Sequence, residues 1–123
     1  MTKPLAIVFY ERLMPGSQLV NRLQDLGYRV LAVNNAATLT ATVKSEMPLL
    51  LVADFSARAD IQTAIQKIKA DAATVHIPII VFAPDNEPTL LETAQKAGAN
   101  FTIAESAANA HLPQLIDQAL HIE

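Results

Sequence analysis

Short runs of consecutive apolar residues recur along the chain, separated by stretches in which apolar residues return every three or four positions. Leu5–Tyr10 is the first run, and the spacing of Leu19, Val20, Leu23 and Leu26 then predicts a helix over about 17–26. Pro15-Gly16 reads as a turn ahead of it, and Gly27 as its terminator. Arg29–Val33 is a second run, closed by Asn34-Asn35. A weaker helix follows over 37–46, with Thr38 as its cap and Leu39, Val43 and Met47 as its apolar side, and Pro48 stops it. Leu49–Ala53 is the clearest buried strand and runs straight into Asp54. Residues 59–71 carry Ile61, Ala64, Ile65 and Ile68 on one side, with Gln62, Gln66, Lys67 and Lys69 on the other. Ile77–Phe82 is a fourth run, with Pro78 near its entry, where a missing donor is tolerated. The loop Ala83-Pro84-Asp85-Asn86 leads to a helix over 87–97 that Gly98 ends. Its Leu90 and Leu91 are adjacent, so one of them is expected to be partly exposed. Asn100–Ala104 is a fifth, more polar strand, and a last helix is expected over about 109–122.

Five strands alternating with five helices predict an α/β fold. Strands that are apolar on both faces need helices on both sides, which is the doubly wound parallel sheet. Right-handed crossovers leave few topologies, and the flavodoxin-like order 2-1-3-4-5, a (βα)5 arrangement, is expected. The 123 residues suffice for one domain with its own core. In such sheets the working crevice lies beyond the carboxyl ends of the strands. That edge collects Phe9, Tyr10, Glu11, Asp54, Phe55, Ala83, Pro84, Glu105 and Ser106.

Composition removes several alternatives. With no cysteine there are no disulfides, thiolate metal sites or cysteine nucleophiles, and a reducing cytoplasm is the expected location. The net charge is −3 with Lys and Arg scattered, so no nucleic-acid partner is expected. The first apolar run is too short to span a bilayer, so neither is a membrane. His76, His111 and His121 lack metal-ligand spacing, and Gly16, Gly27 and Gly98 stand alone rather than forming a phosphate cradle.

Four strings carry a family resemblance. They are Gly27-Tyr28-Arg29-Val30, Pro48–Asp54, Ile77–Val81 and Ala97-Gly98-Ala99-Asn100. In this order and spacing the chain resembles the receiver domain of bacterial two-component response regulators along essentially its whole length. The resemblance implies five polar positions at the strand ends. A pair of acids after the first strand holds Mg²⁺, and an Asp after the third accepts a phosphoryl group. A Thr or Ser after the fourth strand and a Lys-Pro after the fifth complete the site. Spread negative charge on the transferred group is what those cations and donors neutralise.

Carried over residue by residue, the match is mostly negative, with Asp54 at the phosphoacceptor position. The hydroxyl position falls on Ala83, 29 residues later, and the Lys position on Glu105, 22 further on; Ser106 replaces the proline. The acidic pair falls on Phe9-Tyr10 counted from the strand start, or on Tyr10-Glu11 counted back from Gly27. Either way the metal site is short of a ligand. One pair of like unit charges about 4 Å apart, at an effective dielectric near 20, costs on the order of 4 kcal/mol, which opposes a phosphoryl group beside Glu105.

The expectation is therefore a degenerate receiver, not an enzyme, that acts through protein contacts without phosphorylation and needs no cofactor. Two alternatives stand beside it. One is an active phosphoacceptor using Asp54 and Glu11 as ligands of Mg²⁺. The other is a small-ligand module using Phe9, Tyr10 and Phe55. The resemblance implies a sensor kinase, an output domain or a second copy of the chain as partner. It places the contact face on the fourth helix, fifth strand and fifth helix, at Leu91, Thr102, His111, Gln114 and Gln118.

Overall fold

The computed structural model describes residues 4–10, 13–55, 59–85 and 87–120, with the side chains of these apart from 13–17, 36, 59, 60, 105, 108, 109, 119 and 120. The apolar runs form β1 (Leu5–Phe9), β2 (Arg29–Val33), β3 (Leu50–Asp54), β4 (Ile79–Ala83) and β5 (Phe101–Ala104). Between and after them lie α1 (Leu13–Asp25), α2 (Ala36–Glu46), α3 (Ala59–Ala70), α4 (Pro88–Ala97) and α5 (Glu105–Leu120). The strands make one parallel sheet in the order β2-β1-β3-β4-β5, the expected topology.

The two-residue period of a strand divides the core into two layers. Ile7, Phe9, Leu51, Ala53, Ile79 and Val81 face one way, where Leu39 and Val43 of α2, Ile61, Ile65 and Ile68 of α3 and Ala94 of α4 cover them. Ala6, Val8, Leu50, Val52, Ile80 and Phe82 face the other way, under Leu19 and Leu23 of α1 and Leu112 and Ile116 of α5. All five residues of β1, β3 and β4 are buried, which is why those runs show no polar alternation. At the edge, β2 is exposed at Arg29, Leu31 and Ala32.

Several boundaries differ from expectation, each for a local reason. Pro15 and Gly16 lie inside α1, not in a turn before it; a first helical turn needs no N–H from proline. The cap of α2 is Asn35, whose side chain accepts from the Ala37 N–H, while Thr38 turns its hydroxyl back to the Asn35 carbonyl. Leu26 and Met47, read as core, are 38% and 46% exposed because their helices end just before them. Leu90 and Leu91 are both half-buried. β4 begins at Ile79, since Lys69 takes the Ile77 carbonyl at 2.7 Å and the Asn100 side chain takes the Ile79 N–H. Lys69 is thus half-buried rather than outward, and desolvation holds its ammonium pKa below the ordinary lysine value. α5 starts at Glu105, directly after β5, and not near Asn109. No described helix is long and apolar enough to cross a membrane.

Candidate functional site

Strand register sets the geometry of the carboxyl edge. Phe9 pairs with Ala53, so Tyr10 stands level with Asp54 on the neighbouring strand. Asp54 in turn pairs with Phe82, and Phe82 with Ile103. Asp54 continues the parity of Leu50 and Val52, and Tyr10 that of Ala6 and Val8, so this row faces α1 and α5. The residues flanking Asp54 are therefore a half-buried phenol and a fully buried phenyl ring, where a phosphoryl site needs acids, hydroxyls or cations. Asp54 itself is only 1% exposed. Beyond it the Phe55 N–H donates to the Phe82 carbonyl over 2.8 Å, so pairing continues past the acid.

Ala83 is fully buried and pairs with Ala104, one row above Asp54. It brings no hydroxyl to the edge. Glu105 opens α5, and its side chain lies outside those described, as Glu11 does entirely. The sheet thus brings Tyr10, Asp54 and Ala83 to one edge, while Phe9 sits in the layer under α2 to α4. Phe55 shares that layer with Phe9, whereas Tyr10 packs on the opposite one. The three rings named for a small-ligand module are thus divided between the two cores.

Among the described residues no group of three or more His, Cys, Asp or Glu could hold a metal. Mg²⁺ takes several hard oxygen ligands in near-octahedral order. A single carboxylate beside Tyr10 does not supply them, so the described donors do not fit the ion.

No family model matches the sequence, and no curated protein matches it. Solved structures do. A protein assigned as a response regulator in Chloroflexus aurantiacus superposes with a TM-score of 0.89 at 16% identity, covering 98% of this chain and 100% of that one. The receiver domain of a Pseudomonas aeruginosa sensor histidine kinase, which holds magnesium in its active-site cleft, gives 0.87 at 18% identity over 98% and 100% of the chains. The signal receiver domain of a Syntrophus aciditrophicus histidine kinase gives 0.83 at 17% identity over 98% and 95%. This chain has the receiver fold.

On the receiver fold the α4–β5–α5 face is partly open. His111, Gln114 and Gln118 are exposed, and Leu91 and Thr102 are half-buried. His76 is exposed in the turn before β4, and His121 lies outside the described residues. A groove of about 490 Å³ between α2 and α3 is lined by Thr40, Lys44, Thr63, Lys67 and Asp71 among others. There Lys44 pairs with Asp71 at 3.2 Å.

One contact at the carboxyl edge was missed in the sequence. Asp85, read only as a loop residue, accepts the backbone N–H of Ser106 over 3.0 Å. The partners are 21 residues apart, and no helix or strand period connects them. A hint was available in Ser106 itself, because a serine there has an N–H and a proline has none.

Proposed function

We propose that this chain is a pseudo-receiver, a phosphorylation-independent protein-interaction module of two-component-type signalling. The observation that carries the reading is the 1% exposure of Asp54 in a row with Tyr10 and Phe82. A phosphoryl donor has to reach the carboxylate oxygen in line, and the product dianion then has to be surrounded by donors and cations. Here the neighbouring strand positions supply a phenol, a phenyl ring and the methyl of Ala83. Desolvating a dianion against such groups is strongly unfavourable.

On this reading the chain binds and does not catalyse, and it works in the cytoplasm. Its partner is a sensor kinase or an output domain; the receiver domains of Pseudomonas and Syntrophus noted above belong to histidine kinases. The proposed contact surface is the α4–β5–α5 face with His111, Gln114 and Gln118 outward, and a second copy of the chain competes for the same face.

The test is a residue-by-residue NMR titration with beryllofluoride or acetyl phosphate in the presence of Mg²⁺. An unchanged spectrum is expected. Large shifts around Asp54, together with a hydroxylamine-labile modification lost in Asp54→Ala, would establish the phosphoacceptor alternative instead.

A further inference from the structure

At the carboxyl edge the β4–α4 loop is tied directly to the first turn of α5. The Asp85 carboxylate accepts the Ser106 N–H over 3.0 Å, and Ser106 is the second residue of α5. The first amides of a helix have no partner within it and carry the positive end of its dipole. A carboxylate is the side chain that best satisfies them, and this one arrives from the β4–α4 loop instead of from the residue before the helix. No connecting loop separates β5 from α5, so whatever holds the first turn of α5 also holds the end of β5.

The other end of the tie is the entry to α4. The Glu87 N–H donates to the Pro84 carbonyl at 3.1 Å, which closes a turn with Asp85 inside it. α4 starts one residue later, at Pro88, and its cap residue Glu87 makes no side-chain capping bond. Asp85 therefore anchors a helix entry that lacks a cap of its own. Ala83 and Ala104, paired just below, contribute only methyl groups to the same edge.

We infer that Asp85 and Ser106 form a standing clasp that fixes the entry of α4 relative to the start of α5 without any bound group bridging them. The clasp keeps the α4–β5–α5 face in one arrangement at all times, as a constitutively presented binding surface requires. This rests on the pseudo-receiver reading and names how its surface is held.

Hydrogen exchange of the full chain, followed by NMR, tests it. Asp85→Ala removes the acceptor, and Ser106→Pro removes both donors, N–H and hydroxyl, in a first helical turn, where proline is tolerated. Each is expected to speed exchange at the amides of Glu87, Thr89 and Leu90 by about fivefold, the double variant no more than either single one. Ser106→Ala, which removes the hydroxyl that also bonds Asp85 but keeps the N–H, should fall between the parent and Asp85→Ala. Unchanged protection at Ile80 and Val81 verifies the sheet. Unaltered exchange near α4, or additive effects in the double variant, would overturn the clasp. Should a variant fail to fold, the parent answers alone: a through-hydrogen-bond coupling between the Ser106 nitrogen and the Asp85 Cγ is expected, and its absence refutes the contact. Beryllofluoride with Mg²⁺ separates the two ideas. Shifts at Asp54 remove the phosphorylation-independent reading and leave the clasp to the exchange data, whereas unaltered exchange removes the clasp alone.

Discussion

Gly98 and Lys69 share one space: a Cβ built on Gly98 would lie 2.8 Å from the Cγ of Lys69. The lysine stem runs over the glycine, and its ammonium ends on the Val75 and Ile77 carbonyls at 3.1 and 2.7 Å. One side chain thus joins α3, the turn before β4 and the end of α4. Gly98 also sits at φ +124°, where an L side chain is strained in any surroundings. Gly98→Ala should destabilise the fold by about 2 kcal/mol, from backbone strain plus displacement of Lys69. Urea unfolding measures it. Repeating the substitution in Lys69→Ala should recover the steric share, so a loss of the same size in both backgrounds would show that the close approach is not what matters.

Asn100 bonds the start of β4 twice. Its N–H donates to the Ile79 carbonyl and its Oδ1 accepts the Ile79 N–H, both at 2.9 Å. Asn100→Ala leaves the buried Ile79 amide without that acceptor, at about 1–3 kcal/mol. Asn100→Asp keeps an oxygen in place and should lose less. Thermal melting of the two variants side by side decides it, and equal melting temperatures would refute the acceptor role.

The contrast between Leu50–Asp54 and the first turn of α5 shows what the sequence could reveal. A strand buried on both faces writes itself as an unbroken apolar run, and three such runs with helical stretches between them leave few topologies. The stretch Glu105–Ala110 has no apolar period, and the contact made at its start comes from a carboxylate 21 residues away. Ile77 looks like strand, yet Lys69 claims its carbonyl. Asn35 and Thr38 are both good caps, and only the backbone decides between them. At the site, residue types were legible and surroundings were not. Asp54, Tyr10 and Ala83 could be lined up by counting, but the two-layer split of Phe9, Phe55 and Tyr10 depends on pleat parity across three strands.

Met47 ends α2 in the left-handed conformation, at φ 48° and ψ 63°, with its N–H on the Val43 carbonyl. It is 46% exposed, so its side chain contributes little packing to offset that strain. Met47→Gly should raise stability by about 0.5 to 1 kcal/mol, the relief of strain exceeding the added freedom of the unfolded chain. A lower midpoint in urea would mean that the thioether packs more productively than its exposure implies.

Two of the described carboxylates, Asp71 and Asp85, contribute to stability against acid in the same direction. The Ala73 N–H at 2.9 Å, and then the Lys44 ammonium, hold the Asp71 carboxyl below the usual range. The Ser106 hydroxyl, and then its backbone N–H, do the same for Asp85. For both groups the folded pKa lies below the unfolded one, so the unfolded chain binds protons first as acid is added. Their contribution is fully present above the ordinary carboxylate value of about 3.9, and is lost as pH falls through the lower folded values. Urea midpoints should accordingly be insensitive to these two groups between about pH 5 and 7 and fall below about pH 4. The double variant Asp71→Asn, Asp85→Asn should lose less on the same acid limb, because two of its proton-binding sites are gone. An acid limb of unchanged steepness in that variant would assign the loss to other carboxylates.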